Sequence, residues 1–455
     1  MKKVVKRADP AGVTKGSHIL NTTETRQGAG PVSGPAKGLS HKNSKSVVLD
    51  VIRAAGTISR VGLTQATGLT GATISTVVRR LINDGLVIET GRAESTGGKP
   101  RVLLQLNHSS RFAVGVHLDH SGITYVLTDL GGAVVARMSR TGAGVEDPPA
   151  VVARMAREVN ALIDGVGVER SRVLGLGLVS PGPSTPKSGM RLTPPSMWHW
   201  EDFPLDQELE TAVGLPVTLD NDATASALGE YWSGGVGEAT TFASVFMGTG
   251  IGAGLLMNGL AYRGASGNAG EIGHICLDLD GPECWCGARG CTEAIAGPAA
   301  VVEAARTDAA ISRATGLDAK RQSSSVAIDF AAVARAARRG DAGARDLLER
   351  SARHLAIATR TLANILDLEL VVLTGPSLAV AGSVYLPVVQ AELDRSFFAR
   401  ATHPITVQLS RSAATAAAIG AAAIVLQSEL VPLREGLRLP DNLVESESIP
   451  ALAGG

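Results

Sequence analysis

Three of the four cysteines of the chain fall within eight residues, where two glycines separate the second from the third. Closely spaced thiolates favour a metal site over disulfides in a chain that we expect to be cytoplasmic. Gly287 and Gly290 permit the tight backbone turns that bring thiolates together around one ion. The candidate ligands are His274, Cys284, Cys286 and Cys291. The spacing predicts a structural Zn²⁺ site, with Cys276 as an alternative to His274 and unmetallated cysteines as the other interpretation.

A second feature that bears on chemistry is the uneven distribution of charge. Residues 1–107 carry 16 Lys and Arg against 6 Asp and Glu, so their net charge is about +10. The rest of the chain must carry about −10, because the formal net charge of the whole is zero. A basic segment on an acidic body indicates a module that binds a polyanion. Only 3% of residues are aromatic, which disfavours base stacking on single strands or RNA and favours duplex DNA.

Residues 1–42 are rich in Gly, Pro, Ser and Thr, and we expect them to form a disordered basic tail. Three short apolar runs at helical spacing follow within residues 43–84. Gly56 ends the first run, and Ser59 and Thr70 can cap the second and third helices. The third helix leaves one polar face outward. The residues expected to read base edges from that face are Thr73, Ser75, Thr76 and Arg79.

A basic hairpin follows the three helices. Residues 86–89 and 102–104 are typical of strands, and the segment 91–100 between them is Gly-rich. The cations expected on this hairpin are Arg92, Lys99 and Arg101. Three helices and a basic hairpin within residues 43–107 resemble the winged helix-turn-helix of bacterial regulators, whose third helix enters the major groove. A three-helix packing module is the alternative, but it would not require three cations on the hairpin.

The remaining elements must position the metal site. From Phe112 onward, strands and helices alternate, which predicts an α/β body with two lobes over residues 108–428 and a tail over 429–455. The chain has 455 residues, enough for several cores, and contains no apolar stretch long enough for a membrane span. The N-terminus lacks the apolar core of a secretory signal. We therefore expect a cytoplasmic protein without membrane contacts.

The segment Gly270-Glu-Ile-Gly-His274, followed by the cysteine cluster and Glu293, closely resembles the ROK family of repressors and sugar kinases. The resemblance extends over residues 112–428 and implies the two-lobed actin-like ATPase fold with sugar in the cleft. It implies that His274 contacts sugar as well as zinc, and that Glu271 and Glu293 hold sugar hydroxyls. The overall fold class expected is α/β, a winged helix-turn-helix joined to a sugar-kinase-like domain.

The resemblance also covers Asn221 and Asp222, which match the catalytic segment of the family. It implies that Asn221 lies in the sugar site and that Asp222 stands at the position of the base that deprotonates the sugar hydroxyl. Without the family context, an Asn-Asp pair would be interpreted as the cap of the following helix, residues 223–232. Ser196 stands where the family usually has a sugar-binding Asn, so its reach toward a sugar is shorter.

The nucleotide side departs from the kinases of the family. The segment 117–121 carries His, Asp and His where a kinase strand ends in Asp-x-Gly-Gly-Thr. A polyphosphate would meet bulky side chains and the negative charge of Asp119 there. Pro376 is a second departure from the kinases, which tend to have paired glycines at this later position. The glycine-rich segment 248–254 is intact, although it could simply form a tight turn. We therefore expect no ATP use and no catalytic residue, with Asp222 a vestigial base.

The sequence as a whole predicts a regulator that binds a double-stranded operator as a homodimer or homotetramer. A small sugar or sugar derivative is the expected effector. Two alternatives remain. The first is a bifunctional ATP-dependent sugar kinase with a DNA-binding head, which Asp222 and the intact glycine segment favour. The second is a constitutive repressor whose pocket no longer binds an effector, and its support is Ser196.

Overall fold

The structure is a computed structural model. The residues it describes are 41–92, 101–182, 184–185, 189–190, 195–201, 203–237, 239–318, 325–427 and 430. All of them belong to one compact unit. Most of the predicted tails, residues 1–42 and 429–455, lie outside the described residues. Within the described ranges, no helix combines the length and apolar character needed to cross a membrane.

The N-terminal head contains three helices and a three-stranded antiparallel sheet in the order β1-β3-β2. Its elements are α1 (His41–Ala55), β1 (Thr57–Ser59), α2 (Arg60–Thr67), α3 (Gly71–Asn83), β2 (Val87–Arg92) and β3 (Val102–Leu106). Helix α1 begins two residues before the predicted start of the head. The hydroxyl of Ser59 accepts from the amide of Gly62 at 3.1 Å, and that of Thr70 accepts from Thr73 at 3.2 Å. Both predicted caps are therefore present.

Lobe one of the body is a five-stranded sheet in the order β10-β7-β4-β5-β6 with helices on both faces. Its elements are β4 (Phe112–Leu118), β5 (Gly122–Asp129), β6 (Val134–Thr141), α4 (Pro148–Val166), β7 (Val173–Ser180), the short pair β8 (Ser184–Thr185) and β9 (Gly189–Met190), α5 (Leu205–Val213) and β10 (Val217–Asn221). Strands β4, β7 and β10 run parallel, so their carboxyl ends meet at one edge. That edge faces the second lobe and carries the polar residues described below.

Helix α6 (Asp222–Trp232) connects lobe one to lobe two, whose sheet has the order β13-β12-β11-β14-β15. The elements of lobe two are β11 (Phe242–Met247), β12 (Ile251–Met257), β13 (Leu260–Ala261), α7 (Thr292–Ala296), α8 (Pro298–Thr307), α9 (Ala309–Thr315), α10 (Val326–Arg338), α11 (Ala342–Leu366), β14 (Leu370–Thr374), α12 (Pro376–Ser396) and β15 (Thr406–Leu409). Alternate residues of β11 face α6 on one side and the large apolar cluster under α10 and α11 on the other.

Helix α13 (Ala416–Leu426), the last helix among the described residues, returns to lobe one and packs against α6 with almost no side chains between the two backbones. A Cβ atom on Gly229 of α6 would lie 2.0 Å from the carbonyl oxygen of Ala416. A Cβ atom on Gly420 of α13 would lie 1.7 Å from that of Ala225. Only glycine fits at both positions, so the two helices form one tightly packed pair.

One apolar cluster runs from the head into the body. It includes Val48 and Leu81 of the head, Trp232 at the end of α6, and Ala418 and Leu426 of α13. All five side chains are buried. The head is therefore packed against the α6–α13 pair rather than tethered by a flexible linker. Two strand-to-helix lobes with a connecting helix pair are the expected actin-like arrangement, and the predicted fold class is confirmed.

Candidate functional site

A cleft of about 480 Å³ opens between the two lobes. Lobe one contributes the ends of β7 and β10, and lobe two contributes the turn between β11 and β12, the segment 268–274 and the cysteine cluster. Five of the six residues predicted from the family resemblance to bind sugar line this cleft: Asn221, Asp222, Glu271, His274 and Glu293. The side chain of the sixth, Ser196, lies outside the described residues. The fold thus brings together residues separated by more than fifty positions.

Asn221 ends β10 and caps α6, since its side-chain oxygen accepts from the amide of Thr224 at 3.0 Å. The same side chain lines the cleft, so capping and a place in the cleft are not alternatives here. Asp222 follows at the first position of α6 and is buried, and its carboxylate lies 3.4 Å from Nε2 of His117 on β4. The positive end of the α6 dipole also favours a carboxylate at this position.

His117 and Asp119 lie at the end of β4, in the segment where the kinases of the family are expected to contact phosphate. Burial disfavours the charged imidazole of His117, but Asp222 and then Asp119 outweigh burial and raise the pKa of His117. Asp119 is itself buried and accepts from the hydroxyl of Thr249, at 2.8 and 2.6 Å to its two oxygens, and from the amide of His120. Burial raises the pKa of the Asp119 carboxyl, although His117 and Thr249 oppose this. Asp119 belongs to lobe one and Thr249 to lobe two, so this contact joins the lobes.

The intact glycine segment forms the turn between β11 and β12. Its Ile251 amide donates to Glu293 at 2.7 Å, and a Cβ atom on Gly250 would lie 2.3 Å from the same carboxylate oxygen. The glycine at this position therefore makes room for a carboxylate of its own chain. At least one amide of the turn is already satisfied by Glu293.

Glu271 lines the cleft and is exposed as a residue, although its carboxyl lies close to the other acidic groups of the cleft. Partial burial, followed by repulsion from Asp222 and Glu293, raises the pKa of Glu271 to about 7. Three carboxyl groups therefore converge on the cleft. Such a group of acceptors suits a ligand that offers several hydroxyl donors.

The candidate metal ligands converge beside the cleft. One ligand atom from each of the four residues, His274, Cys284, Cys286 and Cys291, lies within 4.8 Å of the other three. Nδ1 of His274 is 3.6 Å from Sγ of Cys284, and Sγ of Cys286 is 3.8 Å from that of Cys291. A tetrahedral site with metal–sulfur bonds of about 2.3 Å has sulfur–sulfur edges of about 3.8 Å. The four side chains can therefore hold a metal ion. Cys276, the alternative fourth ligand, is exposed and outside this group.

The local fold of the cysteine loop depends on Gly290, whose φ is +65°. A Cβ atom there would lie 1.6 Å from the carbonyl oxygen of Asp278, so no other residue fits. The close packing of the three thiols also disfavours the thiolate form of Cys291. Burial, followed by the neighbouring thiols Cys284 and Cys286, raises the pKa of Cys291 to about 12. A cation at the centre of the group would favour the thiolates instead.

The head presents the predicted recognition face. Ser75, Thr76 and Arg79 are exposed on α3, while Ile74 and Val78 pack inward. The fourth predicted residue, Thr73, is half-buried and shares a hydrogen bond of 2.9 Å with the capping hydroxyl of Thr70. Three of the four residues predicted to read base edges are therefore exposed on one face of α3.

The hairpin forms as predicted from β2 and β3. Arg101 is exposed directly before β3, whereas Lys99 and the side chain of Arg92 lie outside the described residues. Arg60 of α2 pairs with Glu89 of β2 at 2.9 Å, which ties the hairpin to the helices. The hairpin is thus held in a defined position beside α3.

Several contacts of the site were not foreseen. From the sequence, His117 is expected only to obstruct phosphate, and no motif assigns a role to Thr249, Trp285 or Trp232. Trp285 donates from Nε1 to Glu293 at 2.7 Å. One feature of the sequence could have indicated the contact between His117 and Asp222. His117 stands where the kinases of the family have an aspartate, and a histidine can form an ion pair with the retained Asp222.

Comparison with known proteins adds a decisive observation, since residues 113–428 match the ROK family. The chain belongs to the ROK family. The resemblance that the motifs suggested is confirmed. The xylose repressor of Bacillus subtilis strain 168 is 31% identical over 266 residues, which is 58% of this chain and 68% of that protein.

Solved ROK structures include both regulators and kinases. A ROK transcriptional regulator, described as a homologue of the E. coli MLC protein, is 26% identical and covers 89% of this chain and 99% of its own, with a TM-score of 0.68. A ROK glucokinase from Streptomyces griseus, solved with glucose and AMPPNP, is also 26% identical but covers 69% of this chain and 98% of its own, with a TM-score of 0.59. The regulator matches a larger share of the chain than the kinase does.

Proposed function

We propose that this ROK-family protein is a sugar-responsive transcriptional repressor that binds duplex DNA through its winged helix. The observation that carries the proposal is that one helix, α6, begins in the cleft at Asp222 and ends against the head at Trp232. Its 11 residues span about 16 Å. A ligand that moves the cleft end of α6 therefore moves a surface on which the DNA-binding head rests.

The tight packing of α6 against α13 supports transmission along this path. Gly229 and Gly420 leave no side chains between the two backbones, so the pair has little room to deform. A shift at one end is then carried as a rigid-body movement to the other end. Ligand binding can change DNA affinity only to the extent that it favours one arrangement of this pair over another.

The effector that best suits the cleft is a small sugar. Asn221, Asp222, Glu271 and Glu293 supply acceptors for hydroxyl groups, and His274 supplies a nitrogen whose orientation a bound metal would fix. Xylose is the first candidate, because the Bacillus subtilis relative is a xylose repressor. These polar side chains are numerous enough to distinguish sugars by the arrangement of their hydroxyl groups.

We further propose that the protein does not phosphorylate its sugar. Phosphoryl transfer needs positioning and neutralisation of phosphate charge. Here Asp119 occupies the corresponding region, pairs with Thr249, and presents negative charge where phosphates would have to lie. Asp222 meets His117 at 3.4 Å and would serve as a sugar ligand rather than as a base.

The metal that best fits the cluster is zinc, held by His274, Cys284, Cys286 and Cys291. Three thiolates and one imidazole are a soft donor set that zinc prefers, and no ligand position would be left open for catalysis. Zinc would contribute stability to the cysteine loop. Through His274 and Glu293 it would also fix one wall of the cleft.

We also propose that the protein acts as a dimer or tetramer of this chain. One winged helix offers few contacts, so operator affinity normally requires two heads on two half-sites. Symmetric assembly would place the heads at a fixed spacing.

The test is a selection of duplexes from a random library by the full chain, followed by anisotropy titrations with and without D-xylose, D-glucose and N-acetyl-D-glucosamine. We expect a palindromic site, and at least one sugar that changes operator affinity by fivefold or more, roughly the lower bound of allosteric coupling. A thermal-shift screen identifies the sugar independently, because a ligand stabilises the state it binds.

Two results would contradict the proposal. Absence of any preferred duplex would remove the DNA-binding function. Phosphoryl transfer from ATP to the sugar hydroxyl at roughly one turnover per second or faster, lost in Asp222→Asn, would establish the kinase instead.

A further inference from the structure

We propose that Trp285 forms the apolar wall of the sugar pocket and thereby selects pyranose rings, an inference that rests on the proposed sugar-sensing function. Trp285 lies between Cys284 and Cys286 and lines the cleft. Its side chain is 36% exposed, although a tryptophan gains most by burial. An indole left open toward a cleft is available to cover a ligand.

The indole is held in place by two groups of the same cleft. Its Nε1 donates to Oε1 of Glu293 at 2.7 Å. Its ring meets the imidazole of His274 edge to face, with centroids 5.0 Å apart and planes at 80°. Both partners are predicted sugar ligands, so the ring is positioned by the groups that would hold the hydroxyls. A rigid aromatic surface of this kind binds with little loss of conformational entropy.

The other aromatic side chain of the cleft is not available in this way. Phe246 is 4% exposed and packs edge to face against His117, with centroids 5.8 Å apart. Trp285 is therefore the aromatic side chain among the described cleft residues with substantial open surface. The remaining lining combines carboxylates, amides and glycines with small or aliphatic apolar side chains such as Ala223, Ala269 and Val326, none of which is aromatic.

The chemistry of a sugar needs such a surface. Hydroxyls project from the edge of a pyranose ring, where Asp222, Glu271 and Glu293 can accept them, but the ring faces carry C–H bonds. An indole face is electron-rich and attracts these C–H groups. A pyranose with equatorial hydroxyls has axial C–H bonds on its faces and can lie flat on the ring. An axial hydroxyl on the stacked face would lift the sugar away.

The position of Trp285 within the cysteine loop links this wall to the metal. Ligands at 284 and 286 fix the backbone on both sides of residue 285, so a metal-free loop would lose the orientation of the indole. Metal removal should therefore alter tryptophan fluorescence as well as sugar affinity. This readout does not depend on any enzymatic activity.

The experiment compares Trp285→Phe, Trp285→Ala and the wild-type full chain by thermal-shift and fluorescence titrations with D-xylose and D-glucose. Trp285→Phe keeps an aromatic face and should bind within about threefold of wild type, but should lose most of the sugar-induced fluorescence change. Trp285→Ala should bind about tenfold more weakly or worse, the loss expected for one stacked ring. The matched control is Phe398→Ala, an aromatic residue 85% exposed and outside the cleft, which should bind like wild type.

The outcomes separate this inference from the proposed function. If neither these sugars nor the wider screen stabilise the wild type, the sugar-sensing function fails, and this inference fails with it. If sugar stabilises the wild type and Trp285→Ala binds within twofold of it, the inference alone is overturned. Near-ultraviolet circular dichroism and metal content show whether each variant keeps the cysteine loop, so that a weak binder with an intact loop supports the assignment. A fluorescence change that survives fully in Trp285→Phe would also contradict it.

Discussion

The guanidinium carbon of Arg53 lies 4.6 Å from the centroid of the Trp232 ring. Arg53 belongs to α1 of the head, and Trp232 is the last residue of α6, whose first residue lies in the cleft. Arg53 also pairs through Nε with Asp50 at 2.9 Å. Trp232 is 4% exposed, so the contact is desolvated, and such cation–π contacts are worth about 2 kcal/mol. Through this contact the helix that begins in the cleft meets α1 of the head.

The first prediction concerns this contact. Trp232→Leu keeps an apolar side chain but removes the ring and part of its volume, so the head should no longer follow α6. We expect the sugar-induced change in operator affinity to fall by about fivefold or more, while the affinity of the sugar-free protein stays within about threefold. Anisotropy titrations with and without the effector measure both quantities. Trp232→Phe retains a ring and serves as the matched control. A full sugar response in Trp232→Leu would show that coupling takes another path.

The second prediction concerns the metal. Elemental analysis of purified protein should find one zinc per chain, and Cys286→Ser should lower both zinc content and thermal stability, since a structural zinc contributes to folding directly. Sugar affinity should fall with it, because His274 borders the cleft. Cys276→Ser is the control, since Cys276 lies outside the ligand group and should retain the metal. Protein that folds normally without zinc would refute the assignment.

The third prediction separates base readout from phosphate contacts. Arg79→Ala removes an exposed cation of α3 and should cost about 1–3 kcal/mol at the preferred site while weakening discrimination between sites. Arg101→Ala, or Lys99→Ala in the segment predicted to join the two hairpin strands, should weaken binding to all duplexes and reduce the slope of log K against log salt by about one.

Point variants are the appropriate test here, because the head shares a buried cluster with α13 and its removal would expose apolar surface such as Ala418 and Leu426. Arg157→Ala, an exposed arginine on α4 of lobe one, is the charge-matched control. Unchanged site preference in Arg79→Ala would mean that α3 does not read bases.

The fourth prediction concerns the contact between the lobes. Thr249→Val removes the hydroxyl that Asp119 accepts from and leaves a buried carboxylate short of a donor, at a cost of about 1–3 kcal/mol in the free energy of unfolding. Loss of this donor raises the pKa of Asp119 in the folded state further above its unfolded value. The destabilisation is therefore present above the folded pKa and lost as the pH falls through it.

Denaturant unfolding at about pH 8 and about pH 5 measures this dependence, and the difference between variant and wild type should be larger at the higher pH. Thr241→Val is the control, because the Thr241 hydroxyl bonds only to exposed Asn258 within the described residues. Equal cost at both pH values would indicate a loss of packing rather than of a hydrogen bond.

The fifth prediction concerns Asp222. Asp222→Asn should weaken the effect of sugar on DNA affinity without abolishing operator binding by the free protein, because the amide cannot accept as a carboxylate does. A coupled assay with sugar, ATP and Mg²⁺ should find no turnover in either protein. Asp220→Asn would be a poor control, since Asp220 pairs with Arg263. Asp206→Asn in α5 is a suitable one.

Much of the local structure could be predicted from the sequence. Ser59 and Thr70 cap the helices that follow them, and the cysteine spacing with Gly290 predicted a compact loop. These features depend on hydrogen bonds and backbone angles within a few residues, which local residue types control. Strand β1 was missed, because its three residues gain their structure from pairing with β3 across the head rather than from any local pattern.

The site itself required the tertiary structure. Family motifs could name Asp222 and Glu293 as cleft residues, but no local pattern joins Thr249 to Asp119, which lie 130 positions apart. No local pattern shows, either, that the helix starting at Asp222 ends at Trp232 beneath Arg53. Residue types alone establish which side chains carry charge, hydrogen-bond donors and thiols. Which of them meet was decided by the packing of α6 against α13 and the head, because contacts between distant residues arise only when whole elements bury their apolar faces together.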